Sequence, residues 1–480
     1  MGGVVLHPSY PLVIEGGLLA LLVIVLLVGL VRRRPDDHVA GWLTLAGLVG
    51  LSMAAWNAEP GRVAFGGSFA LDELSVFGKR LFLVSGALSV LATLGMAHAS
   101  FRRRGTEYYV ALLASMLGML VLSSARDLVL LFVAFELMSI PLYFLTGFLK
   151  SDEAAPEGAM KFFLVGSISS AVILYGLSFV YGAAGVTSMS AIPALVNAGD
   201  PLMMLGLGLV LAGLGFKIAA VPFHMWVPDT YEAANTPFVA WLSIAPKAAG
   251  FLAILRLYVE GVGPGTLVWV PLISTLAGVT IVAGNLMAIP QKNIKRLLAY
   301  SGVAHIGYLL LGLAAMSVSG VSMVLFYLVA YLFGNMGAFF VVQAVAGAER
   351  NDHVDAYRGL ARRSPVLALC LLLFLLSLGG IPFVAGFWAK LFVFFAVVEQ
   401  GMYFLAFLGA VLTVVALYYY LVVARRMYID TPVVTTPVPV PTVLMIAIAG
   451  CLAGIIVMGV YPEPWVQAFV RVAMTLFAPT

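Results

Sequence analysis

The sequence predicts an all-α integral membrane protein of about 14 transmembrane helices, and three observations lead there. Hydrophobic residues make up 62% of the 480 and charged residues only 10%, with a mean hydropathy of +1.06. Soluble globular chains carry roughly a quarter charged residues. This chain cannot cover itself with a polar surface, which excludes a water-soluble enzyme. The apolar residues fall into runs of roughly the 20 residues a membrane helix needs. These runs are uniformly apolar rather than alternating, so they read as helices and not as the strands of a barrel.

The first core, 11–31, lacks a basic segment before it and has Arg32-Arg33-Arg34 behind it. That is the pattern of a retained helix with its N-terminus outside, not of a signal peptide. Cores at 40–57 and 75–98 follow. Five more lie at 107–125, 127–149, 159–184, 202–224 and 238–258, and another five at 267–289, 298–317, 321–347, 365–397 and 401–424. The Pro-rich stretch Thr431–Pro441 reads as an extended linker before the last core, 441–460, and the tail from Tyr461-Pro-Glu-Pro-Trp465 onward as an interfacial cap.

Two cores are interrupted alike. The seventh reads Gly215-Phe216-Lys217 and then Val221-Pro222-Phe223-His224. The twelfth reads Gly379-Gly380-Ile381-Pro382 and then Gly386-Phe387-Trp388-Ala389-Lys390. Each couples a mid-membrane lysine to a proline that must break the helical ladder. They lie five helices apart, an odd offset that gives the two copies opposite orientations. This predicts two inverted five-helix repeats, each with a broken helix, and broken helices in matching positions point to a transport site. The expected division is 1–106 for the first three helices, 107–260 for the first repeat, 261–430 for the second, and 431–480 for linker, last helix and tail.

Basic residues fall mostly in alternate loops: Arg32–Arg34, Arg102–Arg104, Lys150, Lys292 with Lys295 and Arg296, Arg350, Arg358, Arg362 and Arg363, then Arg425 and Arg426. The other loops hold Arg62, Arg126, Arg256 and Arg471, with Lys79 and Arg80 near the start of the third helix. The bias predicts both termini outside. The net charge of +4 is small and its basic residues scattered, so nothing indicates nucleic acid. Cys370 and Cys451 both lie in apolar runs, which excludes a disulfide framework or a Cys-ligated metal. No phosphate loop, dinucleotide fingerprint, CxxC or haem-ligand histidine pair occurs. Any energy source must act through a partner.

A charge near the bilayer centre costs at least about 2.5–3.5 kcal/mol, so Glu136, Lys217, Lys247 and Lys390 each need a reason. A buried lysine holds its proton while a carboxylate is close and can lose it when the two part. At about 4 Å and an effective dielectric near 20 the attraction is roughly 4 kcal/mol, enough to decide where the proton resides. Three lysines against one interior carboxylate leave excess positive charge, which suits a switched proton relay better than static packing. His305 in the tenth core and His224 after the seventh-helix break, near Asp229 and Glu232, are candidate members. Ser139, Ser167, Ser169, Ser170, Ser243 and Tyr300 either position water or bond helices together. Asp72, Glu73, Lys79, Arg80 and Lys161 read as anchors at the membrane faces.

Several stretches resemble the antiporter-like membrane subunits of respiratory complex I, the proton-pumping NADH-quinone oxidoreductase. They are Phe135-Glu136-Leu-Met-Ser-Ile-Pro-Leu-Tyr143, Glu157-Gly-Ala-Met-Lys161-Phe-Phe, Phe216-Lys217 to Pro222-Phe-His-Met-Trp-Val-Pro-Asp229, Pro246-Lys247, and Gln291-Lys-Asn-Ile-Lys-Arg-Leu-Leu-Ala-Tyr-Ser301. The resemblance spans about residues 70–430. It implies that Glu136 and Lys217 form the modulating pair of a first half-channel, Lys247 the central relay, His305 a connecting group and Lys390 the terminal lysine of a second half-channel. It implies a multi-pass place in the bacterial inner membrane beside other membrane subunits, with no cofactor in this chain and NAD, FMN, iron–sulfur clusters and quinone in partner subunits. One departure stands out: the family pattern Glu-Gly-Ala-Pro-Thr-Pro is here Glu232-Ala-Ala-Asn-Thr-Pro237. The alternative is the related subunit of a multisubunit cation/proton (Na+/H+) antiporter. Rivals of other classes are a stand-alone solute transporter and a structural scaffold.

Overall fold

A computed structural model describes residues 11–32, 38–96, 104–149, 154–195, 199–262, 269–432 and 434–477. Among them thirteen helices are long and apolar enough to cross a membrane. The first three are α1 (Val13–Val31), α2 (Val39–Trp56) and α3 (Glu73–Leu94), with a short hairpin of β1 (Arg62–Ala64) and β2 (Phe69–Leu71) between the last two. The next spans are α4 (Gly105–Ser124), α5 (Leu128–Thr146), α6 (Ala154–Ala184) and α7 (Pro201–Ile218). A short amphipathic helix, α8 (Trp226–Ala233), leads into α9 (Thr236–Leu242) and α10 (Ala245–Ile254). A π-turn, Leu255–Glu260, completes that last span. Then come α11 (Trp269–Ala288), α12 (Ile294–Ala314), α13 (Val318–Glu349), α14 (Pro365–Gly379), α15 (Ala385–Glu399), α16 (Tyr403–Tyr428), α17 (Thr442–Val460) and the terminal α18 (Glu463–Phe477).

The segment expected at 365–397 is thus a pair, α14 and α15, each too short to span alone. Gly380 ends α14 at φ +83°, and Pro382 follows without an N–H to continue the ladder. A Cβ on Gly380 would stand 3.0 Å from the Lys390 stem, so glycine is needed for the turn and for the lysine beneath it. The α7 segment ends in the same way, at Ala219 in the left-handed region (φ 67°). A break the sequence did not announce lies within the eighth span, at Ser243–Ile244 between α9 and α10.

The core is built around α12, nearly every residue of which is buried, and α13, most of which is. α1, α2, α6, α11, α16 and α17 present long apolar flanks outward, as lipid-facing helices must. The two ends of the bundle carry separate ion networks. At one end the hairpin meets α5 and α10: Arg256, fully buried, donates to both carboxylate oxygens of Asp72 (2.5 and 2.6 Å) and to Glu260 (2.8 Å). Arg126 pairs with Glu260 at 2.6 Å. Burial works against the charge on Asp72, but the Arg256 guanidinium outweighs it and holds the carboxyl below its ordinary range. At the other end Arg296 bonds Asp229 and Glu232 (2.8 Å each), Lys161 bonds Glu157 and Asp229, and Lys295 pairs with Asp352. Arg426 pairs with Asp355, and Arg363 with Glu349, at this same end. Arg33, Arg34, Arg102, Arg103 and Lys150, part of the expected charge bias, lie outside the described residues.

Lys79 corrects an expectation. It is not a membrane-face anchor. Its side chain is wholly buried, paired with Glu15 of α1 at 2.8 Å and donating to Ser124 of α4. Asp72 likewise belongs to the Arg256 network. Lys161, half-exposed, pairs with Glu157 and Asp229 at 2.8 and 2.9 Å.

Candidate functional site

The first amine, Lys217, sits in the last turn of α7, just before the break, and is 1% exposed. It donates to Ser139 Oγ at 2.8 Å and lies over the rings of Phe135 (5.3 Å) and Phe162 (5.9 Å). Ser139 is one turn beyond Phe135 on α5, and Glu136 lies between them. Glu136 is the carboxylate electrostatically coupled to Lys217, but the lysine's hydrogen bond goes to Ser139, and Glu136 Oε1 is buried without a protein partner among the described residues. The expected direct contact is therefore replaced by a serine-capped amine with its carboxylate held off. The Lys217 stem packs beside Gly250, on the turn of α10 after Lys247.

Lys247, also 1% exposed, projects from the first turn of α10. Its ammonium has no hydrogen-bond partner among the described residues and rests 5.4 Å over the Tyr231 ring. The space beside it is set by Gly302 of α12, where a Cβ would stand 3.5 Å from Lys247 Nζ and 2.9 Å from the Tyr331 hydroxyl. Tyr331 stacks on His305 (centroids 4.8 Å apart). His305, 4% exposed, bonds Tyr327 OH at 2.7 Å through Nδ1 and Tyr420 OH at 3.3 Å through Nε2. Tyr308, one turn on, meets the His305 ring edge-on at 6.3 Å and supports Lys390 on its face at 4.8 Å. Lys390, on α15, donates to Gly379 O at 3.3 Å. That carbonyl is freed by the break in α14, which explains why a broken helix and a buried lysine go together: the last carbonyls of a helix have no intrahelical partner.

The structure therefore brings Lys247, His305 and Lys390 into one line of neighbouring polar and aromatic groups, with Lys217 and Glu136 at one end. His224 stands apart from it: its ring is 6.4 Å from Tyr300, and Nδ1 has no partner among the described residues. Of the serines, Ser139 belongs to the line, and Ser243 accepts from Asn335 at 2.6 Å. Ser169 bonds helix to helix, to Gly213 O. The groups missed from sequence are the phenols Tyr231, Tyr308, Tyr327, Tyr331 and Tyr420 and the amide Asn335. Their signal was the spacing of Tyr327, Tyr331 and Asn335, four apart on α13 and hence on one helix face. Cys370 and Cys451 are free and buried, and no group of three metal-ligating residues occurs among the described residues.

A broken-helix bundle with a buried row of amines defines the class: an antiporter-like, integral multi-pass membrane protein. Residues 125–416, more than half of the chain, match the family described as NADH:quinone oxidoreductase/Mrp antiporter, TM, and the chain belongs to that family. It is 41% identical over 464 residues to NADH-quinone oxidoreductase subunit N of Heliobacterium modesticaldum, covering 96% of this chain and 98% of that one. The subunit of the same name from Moorella thermoacetica is 41% identical over 466 residues, 96% of each chain. Among solved structures, a chain of respiratory complex I from Thermus thermophilus superposes with a TM-score of 0.82 at 32% identity, covering 95% of this chain and 99% of that one. A chain of the Mrp complex from Dietzia gives a TM-score of 0.88 at 20% identity, covering 98% of each, a likeness of fold alone.

Proposed function

We propose that the chain works as the proton-translocating, non-redox membrane subunit of an NADH-quinone oxidoreductase. The full-length relatives from Heliobacterium modesticaldum and Moorella thermoacetica, each 41% identical, are subunits of that enzyme by name, whereas the likeness to the Mrp chain is one of fold. The redox reaction belongs to the assembly. NAD, FMN, iron–sulfur clusters and quinone are read as held by partner subunits, and this chain supplies the path for protons.

The observation that carries the reading is the row Lys247–Tyr331–His305–Tyr308–Lys390, closed to lipid and to bulk water. Lysine and histidine can both exist neutral when buried, and each can accept a proton as its neighbour loses one. Glu136 is the switch. When its carboxylate reaches the Lys217 ammonium it holds the proton there; when it withdraws, the amine rests on Ser139, which stabilises it less, and the proton passes on to Lys247. A proton arriving at Lys247 repels those ahead of it, so charge advances through His305 to Lys390. Asp72, Arg256 and Glu260 brace the helix ends and take no part in transfer.

In this reading residues 107–260 and 261–430 are two inverted units, with Lys217 and Lys390 at their broken helices. The ion-paired end carrying Lys295, Arg296, Arg363 and Arg426 faces the cytoplasm of a bacterial inner membrane, and both termini lie outside. Proton pumping by the whole assembly in reconstituted vesicles, driven by NADH and a quinone, tests the assignment. Lys217→Ala, Lys247→Ala or Lys390→Ala should lower pumping while the complex still assembles. Full pumping in all three variants would reduce the chain to a scaffold.

A further inference from the structure

The polar stripe of α13 continues past the relay. Tyr327, Tyr331 and Asn335 recur four apart, and Gln343 lies about two turns beyond Asn335, rotated from it by roughly 80° at 3.6 residues per turn, so that the polar line winds around α13. The position that completes the series is Phe339, fully buried. At about 1.5 Å per residue, Gln343 stands roughly 18 Å along the helix from Tyr331, a little over half of a ~30 Å hydrocarbon core. It opens into a cleft of about 1140 Å³ at the end of the bundle that carries the Lys295–Asp352 pair. Ala233 and Asn235, the two residues at which this chain departs from the family pattern, line the same cleft.

Each amide along this line is held at one end and left open at the other. Asn235 Oδ1 caps α9 at Phe238 N, Gln343 Nε2 donates to Ala92 O at 2.9 Å, and Asn335 Nδ2 donates to Ser243 Oγ. The opposite atoms, Asn235 Nδ2, Gln343 Oε1 and Asn335 Oδ1, are buried with no protein partner among the described residues, and so is Lys247 Nζ. Asn235 is 5% exposed and Asn335 wholly buried. Leaving a buried polar atom unbonded costs about 1–3 kcal/mol. A succession of them, from a cleft to a buried amine, is the lining of a water file, because water is what satisfies such groups.

We infer that this line is the route by which protons from the cleft reach Lys247, and that the Phe339 ring is its gate. The inference deepens the relay reading above and rests on it. Phe339 meets the Tyr231 ring edge-on at 5.9 Å, and Tyr231 is the ring beneath the Lys247 ammonium. Rotation of Phe339 therefore joins the water at Gln343 to the Asn335–Ser243 pair and at the same time disturbs the face that holds the Lys247 charge. The transfer is balanced: the file accepts one proton at the cleft, the water nearest Lys247 gives one to the neutral amine, and no bond other than O–H and N–H changes. Closure of the ring keeps the loaded amine from discharging backward.

Sided thiol labelling of the whole assembly in membrane vesicles tests the route independently of pumping. Gln343→Cys, Asn335→Cys and, as a control off the stripe, Val341→Cys are treated with 2-aminoethyl methanethiosulfonate from each face in turn. Gln343→Cys should react from the cleft face. Asn335→Cys should react from that face about tenfold more slowly, and Phe339→Ala should recover most of that factor, worth ~1.4 kcal/mol of barrier. Ser243→Cys, across the same hydrogen bond, serves if Asn335→Cys does not assemble. Reaction at this depth only from the opposite face, or no faster than Val341→Cys even with Phe339→Ala, would overturn the route. The lysine variants above test the relay, so failure of one reading is separable from failure of the other.

Discussion

Gly302→Ala would strain the relay without removing a charge or a hydrogen bond. The added methyl would stand 2.9 Å from the Tyr331 hydroxyl and 3.5 Å from Lys247 Nζ. Ordinary contact is about 3.5 Å, so the hydroxyl must retreat by roughly 0.5 Å. No protein hydrogen bond holds it in place among the described residues, but its ring is stacked on His305. Overpacking a buried site costs about 1–3 kcal/mol, and replacing glycine by alanine within a helix returns up to about 1 kcal/mol. The net loss of about 0–2.5 kcal/mol leaves the chain folded. The methyl also occupies the space through which Lys247, Tyr331 and His305 communicate, and transfer should slow about tenfold, ~1.4 kcal/mol of barrier. The assay is protons pumped per NADH oxidised in vesicles, with quinone reduction in uncoupled membranes as the control for assembly. Pumping equal to the parent's, with normal complex content, would refute the claim that this gap is part of the proton path.

Other outcomes are equally specific. Lys247→Arg should fold yet fail to pump, because guanidinium does not release its proton; pumping at the parent's rate would show that the residue only supplies charge. Lys79→Met leaves Glu15 buried and unpaired, a loss of about 3–5 kcal/mol, whereas Lys79→Met with Glu15→Leu together should recover most of it; thermal unfolding of the solubilised assembly measures both. Asp72→Asn strips the wholly buried Arg256 of its bidentate partner and should destabilise by a similar ~3–5 kcal/mol. Because the Asp72 carboxyl is held low in the folded chain, its contribution is present above the unfolded value near pH 3.9 and disappears as pH falls through the lower folded one. Parent and variant melting temperatures should therefore differ at neutral pH and converge only well below pH 4. The inverse trend would place Asp72 outside the network.

The helical spans were legible because lipid imposes one rule on every segment: satisfy the backbone internally and keep the flanks apolar. The rule marks Lys217, Lys247 and Lys390 by their mere presence in apolar runs, and proline marks the two breaks beside Lys217 and Lys390. It does not mark Lys79, which looked like an anchor because it lies near a helix end. Its partner, Glu15, is more than sixty positions away in the chain. Arg256 likewise reads as a loop charge in the sequence, although it is wholly buried against Asp72 and Glu260. The break at Ser243–Ile244 left no proline within the turn to announce it, Pro246 lying just inside α10 where proline is tolerated.

Composition and spacing by themselves determined that this is a membrane bundle with titratable amines in its interior, since the cost of a buried charge depends only on the residue and its depth. Which groups those amines face was decided by tertiary packing. Tyrosines look like ordinary apolar filler in one dimension. Only when α12, α13, α15 and α16 close on each other do Tyr308, Tyr327, Tyr331 and Tyr420 surround His305 and carry the line from Lys247 to Lys390. Proton transfer requires contact within a few ångströms between residues distant in the chain, and that is a property of helices packed together rather than of any one helix.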